Sequence, residues 1–207
     1  LDGFWLAIDT STARGSLALA GAETLEPCLE REFAADRSAS STLFRELELL
    51  QPEMRHVKRI VIGLGPGSYT GIRVAISAAV GLSLGSGAEL IGLPSLPALR
   101  EPAEEGLDKY VVIGNARRGT YYLAGVINGR TAGEPLLEPP GQINARLERP
   151  PFDNVAHFSF GEWLEGTPGA FPAYPSARRL LELARDQKPA PRKTLEPIYL
   201  RPPHITT

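Results

Sequence analysis

The sequence predicts an α/β protein in which a mixed sheet is crossed by helices. Two observations carry that prediction. Three short apolar runs follow one another at the start, and strands then alternate with helical patterns, giving the order β-β-β-α-β-α-β-α. Residues 59–87 also read, without interruption, as strand, glycine-rich loop and helix. The three leading strands argue against a dinucleotide-binding start, which would open β-α-β.

Phe4 to Ile8 is an apolar run that ends at Asp9, and Ser16 to Ala20 is the next strand. Between them lies the polar turn Asp9-Thr10-Ser11-Thr12-Ala13-Arg14-Gly15. Asp is a common turn residue, so the simplest role for Asp9 is structural. A third strand is expected at Cys28 to Phe33. Ser38 to Ser41 then offer hydroxyls to start a helix. Leu43, Phe44, Leu47 and Leu50 repeat at helical spacing, and Pro52 is expected to end that helix.

The central stretch opens with Ile60-Val61-Ile62, followed by glycines at 63, 65, 67 and 71. The helix beyond carries no charge after Arg73. Ile72, Ile76, Val80 and Leu84 form one stripe, Gly71, Ala75, Ala79 and Ser83 a second of small residues, and Val74, Ala78 and Leu82 a third. A helix apolar on all sides is buried all round or covered by another chain. Small residues in a row let a second backbone approach closely. A membrane span needs about 20 apolar residues, more than this Gly- and Ser-rich segment supplies.

The loop invites a phosphate reading. A P-loop needs Lys-Ser or Lys-Thr after its glycines, and none follows here. The dinucleotide fingerprint read from Gly65 places Thr70 where the third glycine belongs. The simpler role is a tight turn that starts a helix near Ser68 or Thr70.

Downstream, Glu89 to Leu93 is a strand and Pro94-Ser95-Leu96 opens a short helix toward Arg100. The polar stretch from Glu101 to Asp108 marks a subdomain boundary, giving segments 1–100 and 101–207. Tyr110 to Ile113 and Thr120 to Ile127 form a hairpin around Asn115-Ala116-Arg117-Arg118-Gly119. Arg117 and Arg118 could bind a phosphate, although arginines in a turn are more often simply solvated. Residues 134–175 are sparse in pattern, with one strand expected at Val155 to Phe160. Ser176 caps a helix over 176–186 that is a candidate to pack back on the first segment.

The chain has 207 residues, enough for a sizeable core, and a net charge of −2, which gives no electrostatic case for strong nucleic-acid binding by this chain alone. Its one cysteine, Cys28, permits no disulfide within the chain and fits a reducing compartment. The start lacks a basic and then apolar leader, so a cytoplasmic protein is expected; the absence of Met points to a processed or trimmed start. The three histidines form no helical H-x-x-x-H pair, and there is no G-x-S-x-G elbow. Neither a metal site nor a nucleophilic triad is supported.

Gly65-Pro66-Gly67-Ser68-Tyr69-Thr70-Gly71-Ile72-Arg73 resembles, at all nine positions, the G-P-G-S-[FY]-T-G-[LI]-R signature of the bacterial TsaB (YeaZ) family. Asn115 to Arg118 is similar to that family's D-A-R-[KR], with Asn for Asp, and Pro197 to Arg201 to its P-x-Y-L-R ending. Ala39-Ser40-Ser41 departs from the His-Ser-Glu start that family members often carry. The D-T-S-T turn resembles the phosphate-binding hairpin of the actin, Hsp70 and sugar-kinase superfamily, with Ser11 where its kinases carry glycine.

The resemblance implies an actin-like ASKHA (ribonuclease H-like) fold of two subdomains, each with a mixed sheet and flanking helices. It implies a non-catalytic subunit that binds TsaD, and with it TsaE, for threonylcarbamoyl transfer to the adenosine beside the anticodon of tRNA. The expected partner-binding residues are Gly71, Ile72, Ala75, Ile76, Ala79 and Ser83, packed on TsaD helices, with a homodimer through the same face in its absence. Catalytic and metal residues are expected to be absent, and tRNA is reached only through the complex. No cofactor of the chain's own is implied, with ATP or ADP as candidates at the interface shared with TsaD. The alternative is a stand-alone nucleotide-binding kinase or ATPase that uses Asp9, Thr10 and Ser11 with the 65–71 loop.

Overall fold

The computed structural model describes residues 3–35, 39–167, 169–191 and 194–200, with the side chains at 39 and 40 left aside. The departure from the family at Ser40, as a side chain, and the ending at Arg201 therefore lie outside the described residues. The chain divides into two compact units. The first comprises Leu1–Ala98 with Pro175–Ile198, and the second is built on Leu99–Tyr174.

The first unit opens with β1 (Phe4–Asp9), β2 (Arg14–Gly21) and β3 (Pro27–Ala34). It continues with α1 (Ala39–Glu48), α2 (Gln51–Met54), β4 (Val57–Gly63), α3 (Tyr69–Ser86) and β5 (Glu89–Leu93). The strands lie in the order β3-β2-β1-β4-β5. The hairpin strands are antiparallel, with Ile8 opposite Leu17, and the crossover strands are parallel, with Ile8 beside Ile62 and Ile62 beside Gly92. Side chains alternate between faces along each strand. Leu6, Ile8, Leu17, Leu19, Ile60 and Ile62 form the face under α1 and α3. Trp5, Ala7, Ala18, Ala20, Val61 and Ile91 form the opposite face.

That opposite face is covered from far along the sequence. In the second unit follow α4 (Arg100–Glu104), β6 (Lys109–Asn115), β7 (Tyr121–Ile127) and β8 (Arg130–Glu138). Then come α5 (Ile143–Leu147), β9 (Ala156–Phe160) and β10 (Phe171–Ala173). Only after these does α6 (Ala177–Ala184) return to the first unit, burying Ala177, Leu180, Leu181 and Ala184 on its sheet. The Ala177 N–H donates to Ser16 Oγ at 2.9 Å, which fixes where the helix lands.

The second sheet has the order β10-β9-β6-β7-β8, with β6, β7 and β8 antiparallel and β9 and β10 parallel to β6. Counted from its own first strand this is the arrangement of the first sheet again: third, second, first, fourth, fifth. The chain thus has the duplicated mixed-sheet topology of the actin-like, ribonuclease H-like fold. Among the described residues no helix is long and apolar enough to cross a membrane.

Several elements differ from the sequence reading. Pro52 does not close α1; α1 stops at Glu48 and Pro52 sits in the first turn of α2, where its missing N–H has no partner to lose. Residues 101–104, the start of the stretch read as a boundary, are helical as part of α4. The sparse segment 134–175 holds the end of β8, α5, β9 and β10. Phe44, which shares the helical apolar spacing with Leu43, Leu47 and Leu50, is 53% exposed whereas those three are buried.

The largest correction concerns α3. Gly71, Ile72, Ala75, Ala79 and Ser83, expected to meet a partner, are buried inside this chain's own fold, and Ile76 is half-buried. The small stripe lets α3 settle closely on its own sheet. Ala79→Arg would place an unpaired guanidinium in the core. It should cost about 4 kcal/mol or more, read as loss of the cooperative unfolding transition followed by circular dichroism.

Candidate functional site

The nine-residue signature meets the Asp9 turn at the carboxyl ends of the parallel strands β1, β4 and β5. β1 ends at Asp9 and β4 at Gly63, side by side through the Ile8–Ile62 register. Asp9 is fully buried. Its Oδ1 accepts the Ser11 N–H at 2.8 Å and the Ser11 hydroxyl at 2.6 Å, and its Oδ2 accepts the Ser95 hydroxyl at 2.6 Å. Ser95, just past β5, accepts the Gly65 N–H on its Oγ at 3.0 Å and donates its own N–H to the Gly65 carbonyl at 2.8 Å. A Cβ at Gly63 would overlap the Asp9 carboxylate. Burial pushes the Asp9 pKa up from its ordinary value, and the hydrogen bonds from Ser11 and Ser95 work against that rise.

The loop is then tied to the turn by backbone. The Ser68 N–H donates to the Ser11 carbonyl at 2.7 Å, and Thr10 Oγ1 donates to the Gly71 carbonyl at 2.7 Å. A Cβ at Gly67 would overlap the Ser11 carbonyl oxygen, and one at Gly71 the Thr10 carbonyl oxygen. Those two glycines are required by this close approach. Ser68 caps α3 by accepting the Gly71 N–H at 3.2 Å. Gly65 and Pro66 are buried. Tyr69, Thr70 and Arg73 are exposed, and the Arg73 guanidinium lies 4.2 Å from the centroid of the Tyr69 ring.

This arrangement explains the signature as a joint. Thr10 and Ser11 are buried with Asp9, and the polar side-chain atoms of all three are spent on the signature loop, on Ser95 or on one another. Asp9 has both oxygens hydrogen-bonded in the interior, so it presents no free oxygen to a metal or a phosphate-bound cation in this conformation. Among the described residues no group of three or more His, Cys, Asp or Glu side chains is placed to hold a metal ion. Ser95, which completes the joint, has no local sequence signal; only the parallel register of β4 and β5 brings it to Asp9.

The outer face of α3 carries a different set of residues. Arg73, Ser77, Gly81, Leu84 and Gly85 are exposed, with Leu84 at 68%. A Cβ at Gly81 or Gly85 would meet nothing within 4 Å. Glycine in a helix interior costs about 1 kcal/mol relative to alanine, and no packing among the described residues requires it here. Ser77, Gly81 and Gly85 therefore form a second small stripe, at i, i+4 and i+8, on the open side. α1 lies beside α3, and Phe44 and Leu49 are exposed on it and on the turn that follows. The sequence signal for this face was present in the Gly81-x-x-x-Gly85 spacing, masked by the longer small stripe two positions away.

At the other motif, Asn115 is exposed and its Oδ1 accepts the Arg117 N–H at 2.8 Å, so it shapes the hairpin turn as an aspartate would.

The family model for TsaD, tRNA N6-adenosine threonylcarbamoyltransferase, matches residues 39–146, which is half of the chain. The Escherichia coli protein TsaB, described as a tRNA threonylcarbamoyladenosine biosynthesis protein, is 30% identical over 122 residues, covering 58% of this chain and 53% of that protein. The match thus spans about half the length of that relative. An uncharacterised Mycobacterium tuberculosis protein is 28% identical over 96% of this chain and 92% of its own. The solved structure of YeaZ from Pseudomonas aeruginosa superposes with a TM-score of 0.76 at 26% identity, covering 95% of this chain and 99% of that one.

Two measurements test the joint. Asp9→Ala leaves three donors without an acceptor and should cost about 2–4 kcal/mol in urea unfolding. A pKa raised on folding contributes stability that is present below the ordinary value and lost as pH rises through the raised one. Asp9→Asn does not titrate, so its stability relative to the unmodified chain should improve as pH rises above the ordinary carboxylate range toward the raised value; a constant difference would show that Asp9 is not strained by burial. The signature that forms this joint, the family model and the YeaZ superposition agree: the chain belongs to the TsaD family of threonylcarbamoyltransferase-related proteins, on its TsaB (YeaZ) side.

Proposed function

We propose that this chain is a non-catalytic subunit in threonylcarbamoyladenosine biosynthesis on tRNA, which binds a TsaD-type catalytic partner through the outer face of α3 and the neighbouring α1. The observation that carries the reading is the pair of glycines, Gly81 and Gly85, on an open helix face that has no use for them within the chain. A second helix approaching closely would use them. Leu84, Phe44 and Leu49 supply apolar area around that line of approach. Family membership makes TsaD the first partner to test, with TsaE joining through it and ATP or ADP held where the chains meet. Without TsaD, two copies of this chain would cover the same face as a homodimer. The setting is cytoplasmic, and tRNA is bound through the assembly.

The stand-alone kinase or ATPase reading is the less favoured one. It would need Asp9, Thr10 and Ser11 to face a phosphate, whereas they hold the signature loop.

Size-exclusion chromatography of this chain with TsaD from the same source, with and without ATP, tests the proposal. A mixed complex should replace the homodimer. Gly81→Leu should stabilise the isolated, folded chain by about 0.5–1 kcal/mol, because a helix former replaces glycine in open space, and should weaken the mixed complex at least about tenfold. Undiminished pairing in that variant would remove the outer face of α3 from the interface. Tight ATP binding and hydrolysis by the isolated chain, with no TsaD complex, would restore the enzyme reading.

A further inference from the structure

The hairpin tip between β6 and β7 displays two arginines in an unusual backbone setting. Arg117, Arg118 and Gly119 have φ angles of 65°, 53° and 66°. The first two are non-glycine residues in the left-handed region, which L side chains adopt at a cost. Three hydrogen bonds hold the shape. Asn115 Oδ1 accepts the Arg117 N–H at 2.8 Å, the Ala116 N–H donates to the Thr120 carbonyl at 2.9 Å, and the Thr120 N–H donates to the Arg117 carbonyl at 3.2 Å.

What remains at the tip is a set of donors without a partner among the described residues. The N–H groups of Arg118 and Gly119 have no acceptor among the described residues. Arg117 and Arg118 are exposed, and neither forms an ion pair among the described residues. Five other arginines each face a glutamate: Arg14, Arg31, Arg59, Arg178 and Arg179. Glu138, across the ladder from Tyr121, is the acidic residue nearest the tip in register, and it pairs with neither arginine. Two permanent cations and two backbone donors on one fixed turn match the oxygens of a phosphate group.

We propose that the Arg117–Arg118 tip contacts the phosphodiester backbone of the RNA that the assembly modifies. The proposal rests on the functional reading above and adds to it a direct contact between this chain and RNA. It is local, because the chain as a whole carries a net charge of −2 and offers no broad basic face. Such a contact sets position and register without reading sequence.

The test is a salt titration of tRNA binding by the full chain, alone and premixed with TsaD. The double variant Arg117→Gly/Arg118→Gly removes both charges and relieves the left-handed backbone, so folding is safe. It should bind unmodified tRNA about tenfold more weakly at low salt, and the slope of log affinity against log salt should shrink by about 1–2. Arg117→Lys/Arg118→Lys keeps both charges and should retain most of the binding. The complex with TsaD should form equally well with either variant. Unchanged tRNA affinity and slope in the glycine variant, or no tRNA binding by the unmodified chain in either format, overturns the proposal while an intact TsaD complex leaves the functional reading standing. Loss of TsaD binding with tRNA binding intact assigns the tip to a protein partner and also overturns it. If the unmodified chain never pairs with TsaD yet the glycine variant loses tRNA, the functional reading fails and the phosphate contact survives.

Discussion

The buried carboxylate of Asp9 joins three stretches of chain that are distant in sequence: the turn after β1, the signature loop after β4, and Ser95 after β5. Burying such a group is costly unless its lone pairs are occupied. Three donors, from Ser11 and Ser95, occupy them. The loop held in this way sets the start of α3 through the Ser68 cap and the Thr10–Gly71 contact. Because the start is set, the rotation of α3 about its own axis is set too. Which residues the helix buries, and which it leaves open, follows from a joint at its first turn.

Much of this architecture could be read from the residues. Strand positions in the first unit followed from short apolar runs bounded by turns, and the parallel crossovers from their alternation with helices. The orientation of α3 could not be read in this way. A helix apolar on every side has no polar face to point outward, so periodicity does not choose among its stripes. Small residues suit both a close fit on the chain's own sheet and a close fit on another helix. Geometry separates the two cases: Gly67 and Gly71 are crowded by backbone, whereas Gly81 and Gly85 face open space. The edge strands β8 and β10 escaped notice for a related reason. Each lies at a sheet edge, and Pro135 and Pro172 interrupt the strand pattern within them, as edges tolerate.

The two sheets repeat one strand order but do not finish it alike. In the first, the residue after Ile8 is Asp9, the centre of the joint. In the second, the residue after Ile113 is Gly114, and the Tyr122 ring occupies the space that a side chain there would need. The Tyr122 hydroxyl is buried without a hydrogen-bond partner among the described residues, and burial together with the nearby Glu162 carboxylate pushes its pKa further up. The same topology thus carries a polar clasp in one unit and an aromatic plug in the other, and only the first organises a signature loop.

The path of the chain has a consequence for how it is made. The apolar face formed by Trp5, Ala18, Val61 and Ile91 waits for α6, which begins at Ala177, after the whole second sheet. During synthesis at about 5–20 residues per second, the first sheet emerges early with that face bare. The second unit, whose own strands are contiguous in sequence, can complete itself in the meantime. The half of the protein that is translated first therefore completes its core only after the second sheet, when α6 arrives to seal it.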